Sequence, residues 1–193
     1  MKHKALASLV VFLLLATTAS ALTLEGSCDI RFFGRSTLHN FDGTAACQPF
    51  ILTTSGEIGD SGIIRQTVVE VLVEEMDTGN SIRDKQMYAM FGQKSYPHIQ
   101  GLFADLDPDV VMQQLQAEND ASAHLEFDLR IRDINQRVKA VTRDLVVNPE
   151  QISFTMVFPV SLVSFQLHPP SVLGFIKVDD QIQAEVRVLL LRH

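Results

Sequence analysis

Two cysteines, Cys28 and Cys47, have the most distinctive chemistry in this chain. They lie 19 positions apart, nearly symmetric about a predicted turn at 36–40. A hairpin centred on that turn places them on facing strands, and their phase with apolar neighbours directs both side chains inward. Because an exported chain meets an oxidising compartment, we predict a Cys28–Cys47 disulfide. The alternative, a redox or metal-binding pair, lacks a Cys-x-x-Cys spacing and flanking histidines.

No other group of residues has the spacing of a catalytic or metal-binding motif. The sequence contains no GxSxG, Walker A or GxGxxG pattern. Asp179 and Asp180 are adjacent, but a solvated turn before the last strand explains them. The histidines that matter here are scattered, without an HExxH motif: His39, His98, His124 and His168. We therefore expect no enzyme activity, no metal and no cofactor, and keep a lipid isomerase or hydrolase as a third hypothesis.

Arg83 and Tyr96 are the polar residues predicted to contact a ligand. Arg83 and Asp84 fall in the first turn of a predicted helix, after a cap at Asn80 or Ser81. A carboxylate near a helix N-terminus is stabilised by the helix dipole, which is a sufficient reason for Asp84. The guanidinium of Arg83 and the hydroxyl of Tyr96 can each hydrogen-bond a head group. A solvated or ion-paired Arg83 is the alternative.

The apolar candidates are drawn from 12 Phe and 6 Met residues, in a chain without Trp. Phe and Met form adaptable apolar walls, but the same residues can also fill a core. The side-chain pattern therefore leaves a hollow and a filled interior equally open. The predicted apolar ligand contacts are Phe32, Phe41, Met76, Met87, Met90, Phe91, Phe103, Phe127, Phe154, Met156, Phe158 and Phe165.

Alternation of apolar and polar residues with a period of two dominates the chain, most clearly at 121–132, 151–163 and 181–191. This pattern is typical of an antiparallel sheet with one face in water. The predicted strands are 22–34, 38–51, 61–75, 97–106, 121–132, 136–147, 151–164 and 181–191, with a helix at 81–91, a further helical turn at 110–117, and turns at 133–135 and 148–150. Eight such strands close readily into a barrel. The predicted fold is an all-β, eight-stranded antiparallel barrel with one short side helix.

The first 21 residues have the pattern of a cleavable export signal. Lys2 and Lys4 precede an apolar run at 5–16, and Ala-Ser-Ala follows at 19–21. The run is shorter than the roughly 20 apolar residues that span a bilayer, which disfavours a membrane anchor. Lipidation at Cys28 is disfavoured because a glutamate stands where an aliphatic residue is needed. We predict a signal peptide at 1–21 and a single domain at 22–193.

The formal net charge is −7 at pH 7, and loss of Lys2 and Lys4 makes it more negative still. Residues 22–193 contain no cluster of Lys and Arg. Phosphate backbones and anionic lipid surfaces attract such clusters. We therefore expect no nucleic-acid partner and no stable membrane insertion.

Three motifs stand out: GRSTLHNFDG at 34–43, the spaced pattern MDTGN–RD–M–F–YP at 76–97, and PPSVLG at 169–174. Together they resemble the YceI-like family, lipocalin-like periplasmic proteins that bind polyisoprenoids or other lipids. The resemblance covers about 24–191 and implies a barrel with a helix beside it and a long apolar cavity. The resemblance is compatible with a homodimer, but no sequence pattern establishes one. One departure is the turn at 133–135, where members often carry Gly; Asn135 tolerates the left-handed conformation.

These features predict a periplasmic carrier or sequestering protein, in a Gram-negative cell, for an amphiphile with a long apolar tail. The partner would be a hydrophobic small molecule: an isoprenoid quinone or polyprenyl lipid first, a fatty acid or amide next. Burial of the tail drives binding, at about 0.8 kcal/mol per methylene. The alternative is a filled barrel that acts as an interaction protein in the envelope, for example beside a membrane redox protein.

Overall fold

A computed structural model describes residues 22–56, 62–117, 122–169 and 177–192. The predicted signal peptide and most of the PPSVLG motif, with the segment at 171–176 predicted to cross a barrel end, lie outside the described residues. Within the described ranges, no helix is long and apolar enough to cross a membrane.

The described residues form nine strands and two α-helices, and the all-β prediction is confirmed. In addition to the one predicted side helix, a second helix at Pro108–Ala117 contains the helical turn that was predicted at 110–117. The strands are β1 Thr23–Gly34, β2 Phe41–Ala46, β3 Phe50–Thr53, β4 Ile64–Leu72, β5 His98–Leu106, β6 Ala123–Ile131, β7 Ile134–Val147, β8 Gln151–Ser161 and β9 Gln181–Arg192; the helices are α1 Ser81–Phe91 and α2 Pro108–Ala117. β4 and β8 each end a few residues earlier than predicted, because short 3-10 turns follow them at Val73–Glu75 and Val163–Phe165.

The strands form one antiparallel sheet in the order β2-β1-β9-β8-β7-β6-β5-β4. β3 pairs with the first part of β1, at Gly26–Phe50, and β2 pairs with the second part, at Phe32–Gly43. β2 and β3 therefore share one strand position, and the predicted strand at 38–51 is interrupted. Pro49 lies in the interruption and has no backbone N–H to give to a ladder. The sheet accordingly has the eight strand positions that were predicted.

The two edges of the sheet meet at a seam between β2–β3 and β4. Isolated bridges join Thr44 to Asp77, Cys47 to Val71, and Thr54 to Ile64 across it. The backbone N–H of Thr44 donates to the Asp77 carbonyl at 2.7 Å, and the reverse bond measures 2.8 Å. The barrel is therefore closed at separate points on this side.

One end of the barrel is packed solid. Leu24 and Ala140 are 0% exposed, and Thr54 is 1% exposed. Around them lie further buried aliphatic side chains: Leu52, Ile64, Leu125, Ile152, Val188 and Leu190. Each large aliphatic side chain buried in this way contributes about 1.5–3 kcal/mol to folding. The filled end fixes the sheet and leaves the other end to carry a site.

The turn between β6 and β7 differs from the prediction. Ile131 pairs directly with Ile134, so Arg132 and Asp133 form a two-residue turn and Asn135 belongs to the strand. The residue with left-handed backbone is Arg132, with φ of 59°, and not Asn135. The Arg132 guanidinium lies 5.5 Å from the centroid of the Tyr96 ring, a cation–π contact that supports this conformation.

Asp180 lies where β8 ends and β9 begins, at the end of the barrel opposite to the packed one. It has a structural role there and is more than a solvated turn residue. Its carboxylate accepts from the backbone N–H of Val163 at 2.7 Å and from the Ser161 hydroxyl at 2.8 Å. The Val163 hydrogen bond, followed by that of Ser161, lowers the pKa of the Asp180 carboxyl. Asp180 therefore ties the start of β9 to the turn that follows β8.

Candidate ligand-binding cavity

A cavity of about 460 Å³ opens at the end of the barrel beside α1. Its wall is formed by inward-facing residues of β1, β2, β4, β5, β6, β8 and β9, with α1 at the rim. The volume lies within the roughly 300–1,000 Å³ of small-molecule sites, which are mostly apolar with few polar groups. The interior is thus hollow at this end and filled at the other.

The cavity exists because small residues stand between large ones across the sheet. Ala184 on β9 is paired with Phe32 on β1 and with Phe158 on β8. Gly101 on β5 and Ala45 on β2 line the same space. A larger side chain at Ala184 or Ala45 would occupy the volume that is now open. The hollowness is therefore encoded by the register that brings small residues beside aromatic ones.

Most residues predicted to contact a ligand are brought together around this cavity. Those that line it are Phe32, Phe41, Met76, Arg83, Met87, Met90, Phe91, Phe103, Phe127, Met156 and Phe158. Phe154 is one inward position deeper on β8 and packs against the core below the cavity. Phe165 is buried in the turn after β8. Tyr96 lies under Arg132 and does not line the cavity.

Aliphatic wall residues were missed because the sequence prediction selected only Phe and Met. The missed wall residues include Ile30, Val69, Val71, Ile99, Leu129, Ile131, Val160, Leu162, Ile182, Ala184 and Val186. Many of them share the inward phase of the strand alternation, so the pattern itself contained the signal. The phase shows which face is inward, whereas the depth of a residue along the barrel depends on tertiary pairing.

α1 has well-defined ends, and its predicted range of 81–91 is confirmed. The Asn80 side-chain oxygen accepts from the backbone N–H groups of Ile82 and Arg83, at 3.0 and 3.1 Å. At the other end, Gly92 adopts a left-handed conformation with φ of 67°. Both arrangements satisfy backbone groups that a helix end leaves without partners. The helix is therefore set in place by its own local sequence.

Tyr88 ties α1 to the rim of the barrel. Its hydroxyl donates to the Met76 carbonyl at 2.7 Å. Burial, and then the nearby carboxylates of Asp84, Asp77 and Glu74, raise the pKa of the Tyr88 phenol. The phenol consequently keeps its proton at neutral pH and stays a donor. No sequence motif marks Tyr88, yet it is the tyrosine that holds this region.

A polar cluster of Thr78, Arg83 and Asp84 lies at the start of α1. Arg83 donates to the Thr78 hydroxyl from Nε at 2.8 Å and to the Thr78 carbonyl from Nη2 at 2.7 Å. The Thr78 backbone N–H and hydroxyl donate in turn to the Asp84 carboxylate, at 3.0 and 2.5 Å. Asp84 is only 9% exposed, and these two hydrogen bonds offset the cost of burying its carboxylate. The cluster holds Arg83 in a fixed position at the cavity rim.

Arg83 retains donors for a further partner. A guanidinium has five N–H groups, and its described hydrogen bonds, both to Thr78, use two of them. Its Cζ atom lies 5.3 Å from the centroid of the Phe41 ring, which also lines the cavity. The remaining donors suit a carbonyl or carboxylate oxygen at the mouth.

The predicted disulfide between Cys28 and Cys47 is confirmed, with a Cα–Cα separation of 5.3 Å. The Cys47 backbone N–H also donates to the Cys28 carbonyl at 3.0 Å. Cys28 lines the cavity, and Cys47 bridges to Val71 across the seam. The bond therefore joins the cavity wall to the closing edge of the barrel. Elsewhere, the described residues contain no group of three or more His, Cys, Asp or Glu that could hold a metal ion.

Comparison by sequence finds no matching family model and no matching curated protein. Comparison by structure finds BcnA of Burkholderia cenocepacia, with a TM-score of 0.63, 14% identity, and coverage of 84% of this chain and 95% of BcnA. A polyisoprenoid binding domain from Saccharophagus degradans, implicated in plant cell wall breakdown, gives 0.63 at 7% identity, covering 90% of this chain and all of that domain. The Campylobacter jejuni YceI protein gives 0.52 at 13% identity, covering 99% and 94%. The chain therefore has the YceI-like fold that its motifs predicted.

Proposed function

We propose that this protein is an exported carrier or sequestering protein that holds the apolar tail of an amphiphile in the cavity beside α1. The main observation behind this proposal is an apolar space of about 460 Å³, open at the rim and closed below by packed core. The likeness in fold to a polyisoprenoid binding domain supports this proposal. We further propose that the chain is a YceI-like protein and that its mature form, after loss of 1–21, resides in the periplasm of a Gram-negative cell.

The cavity wall favours binding over catalysis. Among the described residues that line it, His39 and Arg83 alone carry ionisable side chains, because Cys28 is in the disulfide. Both are at the mouth, away from the apolar wall on which a tail would lie. An isoprenoid quinone or polyprenyl lipid is the first candidate and a fatty acid or amide the next. Tail burial, at about 0.8 kcal/mol per methylene, provides the affinity without a strong polar anchor.

The test is native mass spectrometry of the mature protein purified from a Gram-negative periplasm, followed by denaturing release. We expect a stoichiometric adduct with the mass of a prenyl or acyl compound. A periplasmic protein of similar size, purified in parallel, should carry none. A bare mass that stays unchanged after quinone and fatty acid are added would count against the proposal.

Arg83 is the proposed contact for the ligand head group. With one tail length held constant, we expect an amide or carboxylate head to bind about tenfold more tightly than the corresponding alkane, since a charge-assisted hydrogen bond contributes about 1.5 kcal/mol. Arg83→Met should remove that preference while leaving the alkane's affinity unchanged. Lys85→Met, an exposed charge on the same helix that does not line the cavity, is the matched control. A head-group preference that persists in Arg83→Met would show that another group makes the contact.

A further inference from the structure

Two stacked aromatic rings lie at the inner end of the cavity, where Phe103 and Phe127 are the innermost lining residues of β5 and β6. Phe103 and Phe127 stack with ring centroids 4.8 Å apart, and Phe158 meets Phe127 edge-on at 5.1 Å. Such pairs prefer these geometries and reinforce one another. All three residues line the cavity, and Phe127 is 2% exposed. We call Phe103 and Phe127 the aromatic floor, and Phe158 supports it from β8, one inward step above Met156.

A glycine makes room for the floor. A methyl group at Gly101 would lie 3.2 Å from the Phe103 ring and 3.7 Å from the Phe127 ring. The two stacked rings therefore lie over Gly101, where most side chains would push them away. The floor is thus specified by a small residue beside two large ones.

The cavity ends at this floor and does not continue into the other half of the barrel. Leu125 is the next inward residue on β6 below Phe127, and Val188 is the next on β9 below Val186. Both are buried, and neither lines the cavity. A tail entering from the mouth therefore meets the rings and then packed core.

The depth of the cavity follows from the strands that line it. Lining residues run from Ile99 to Phe103 on β5, from Phe127 to Ile131 on β6 and from Ile182 to Val186 on β9, four residue steps in each case. At about 3.3 Å per step this is about 13 Å along a strand, or about 10 Å along the axis of a barrel whose strands tilt by 35–45°. A C–C bond of about 1.5 Å with tetrahedral geometry advances an extended tail by about 1.25 Å. One extended pass therefore accommodates roughly eight to ten carbons, and a folded tail about twice that.

We propose that the aromatic floor sets the length of apolar tail that contributes to binding. The inference rests on the proposed function and adds a specificity determinant to it. Carbons that fit between the rim and the rings add affinity, whereas those beyond that length stay outside the cavity and add little. A long-chain lipid can still bind, but its affinity is set by the part that the floor admits.

The test measures the affinity of saturated primary amides of about 6 to about 22 carbons by displacement of an apolar fluorescent dye. For the unmodified protein, we expect Kd to fall about fourfold per added carbon, about 0.8 kcal/mol, up to a break and then to level off. Phe127→Ala opens the floor and should move the break to longer tails. Phe127→Leu removes less volume, keeps the position apolar and should move the break in the same direction. If the alanine variant does not fold, the leucine variant tests the role of the floor.

Phe165→Ala is the matched control, because Phe165 is equally buried but does not line the cavity. It should leave the break where it is. A steady gain in affinity through the longest amide, or an unmoved break in the folded Phe127 variants, overturns the role of the floor while the proposed function stands. Failure of every amide to bind the unmodified protein, together with no prenyl or acyl adduct in native mass spectrometry, overturns the proposed function and this inference with it.

Discussion

Replacement of Ala184 by phenylalanine is expected to weaken the binding of tail-bearing amphiphiles by about 50-fold or more. Ala184 is buried on β9, lines the cavity and is paired with Phe32 and Phe158 on the neighbouring strands. A third ring at this level has only the open space to occupy. Displacing at least three methylene-sized groups of a tail, at about 0.8 kcal/mol each, costs about 2.4 kcal/mol, or about 50-fold in Kd.

The measurement is a titration of the unmodified and variant proteins with the same amphiphile, together with thermal unfolding to show that both are folded. Gln183→Phe is the matched control, since Gln183 is the adjacent, exposed residue on the opposite face of β9. It introduces the same ring outside the barrel and should leave Kd unchanged. Unaltered affinity in a folded Ala184→Phe protein would place the ligand somewhere other than this cavity.

The sheet and α1 could be predicted because their signals are local. Alternation with a period of two follows from the pleat of a strand, so it predicted a strand at 151–164 with its inward face, of which 151–161 is observed as β8. The ends of α1 are specified by an Asn cap and a following Gly, which act on their own neighbours. The hairpin symmetry of Cys28 and Cys47 is also local, and it predicted their pairing.

Other features of the fold depend on contacts distant in sequence and could not be predicted from it. The split between β2 and β3 reflects Pro49 and the pairing of both strands with one long partner, β1. Closure at the seam joins Cys47 to Val71, which neither strand encodes alone. The turn at Arg132 was misassigned because its conformation is supported by the Tyr96 ring from another element.

The candidate site shows the same division. The strand alternation and the residue types identified the aromatic wall. Phe154 was wrongly included because the alternation shows which face is inward but not how deep in the barrel a residue lies. Whether the barrel is hollow was undecidable from composition, since the answer lies in which residues are paired. Ala184 beside Phe32 and Phe158 leaves a space, and that neighbourhood is created only by the register of β1, β9 and β8. The cavity is therefore a property of pairing rather than of any strand alone.

Removal of the disulfide, by replacing both Cys28 and Cys47 with alanine, is expected to lower the free energy of unfolding by about 3 kcal/mol. A cross-link that closes a loop of this length, 19 positions, restricts the unfolded chain by about that amount. Alanine is the appropriate replacement because both positions are buried and a serine hydroxyl would need a partner. Denaturant unfolding of the two proteins measures the difference, and reduction of the unmodified protein should reproduce it.

The position of the bond at the seam adds a second, local effect. Cys47 lies between the bridges at Thr44–Asp77 and Thr54–Ile64, and the neighbouring Gln48 N–H donates across the seam to the Glu70 carbonyl at 2.8 Å. Without the cross-link this edge is held by few hydrogen bonds, so its amides should exchange faster than global unfolding alone explains. Amides between β8 and β9, which form a continuous ladder, are the internal control and should change only with global stability. Equally faster amide exchange at the seam and between β8 and β9 would show that the disulfide stabilises the whole chain and has no local effect at the seam.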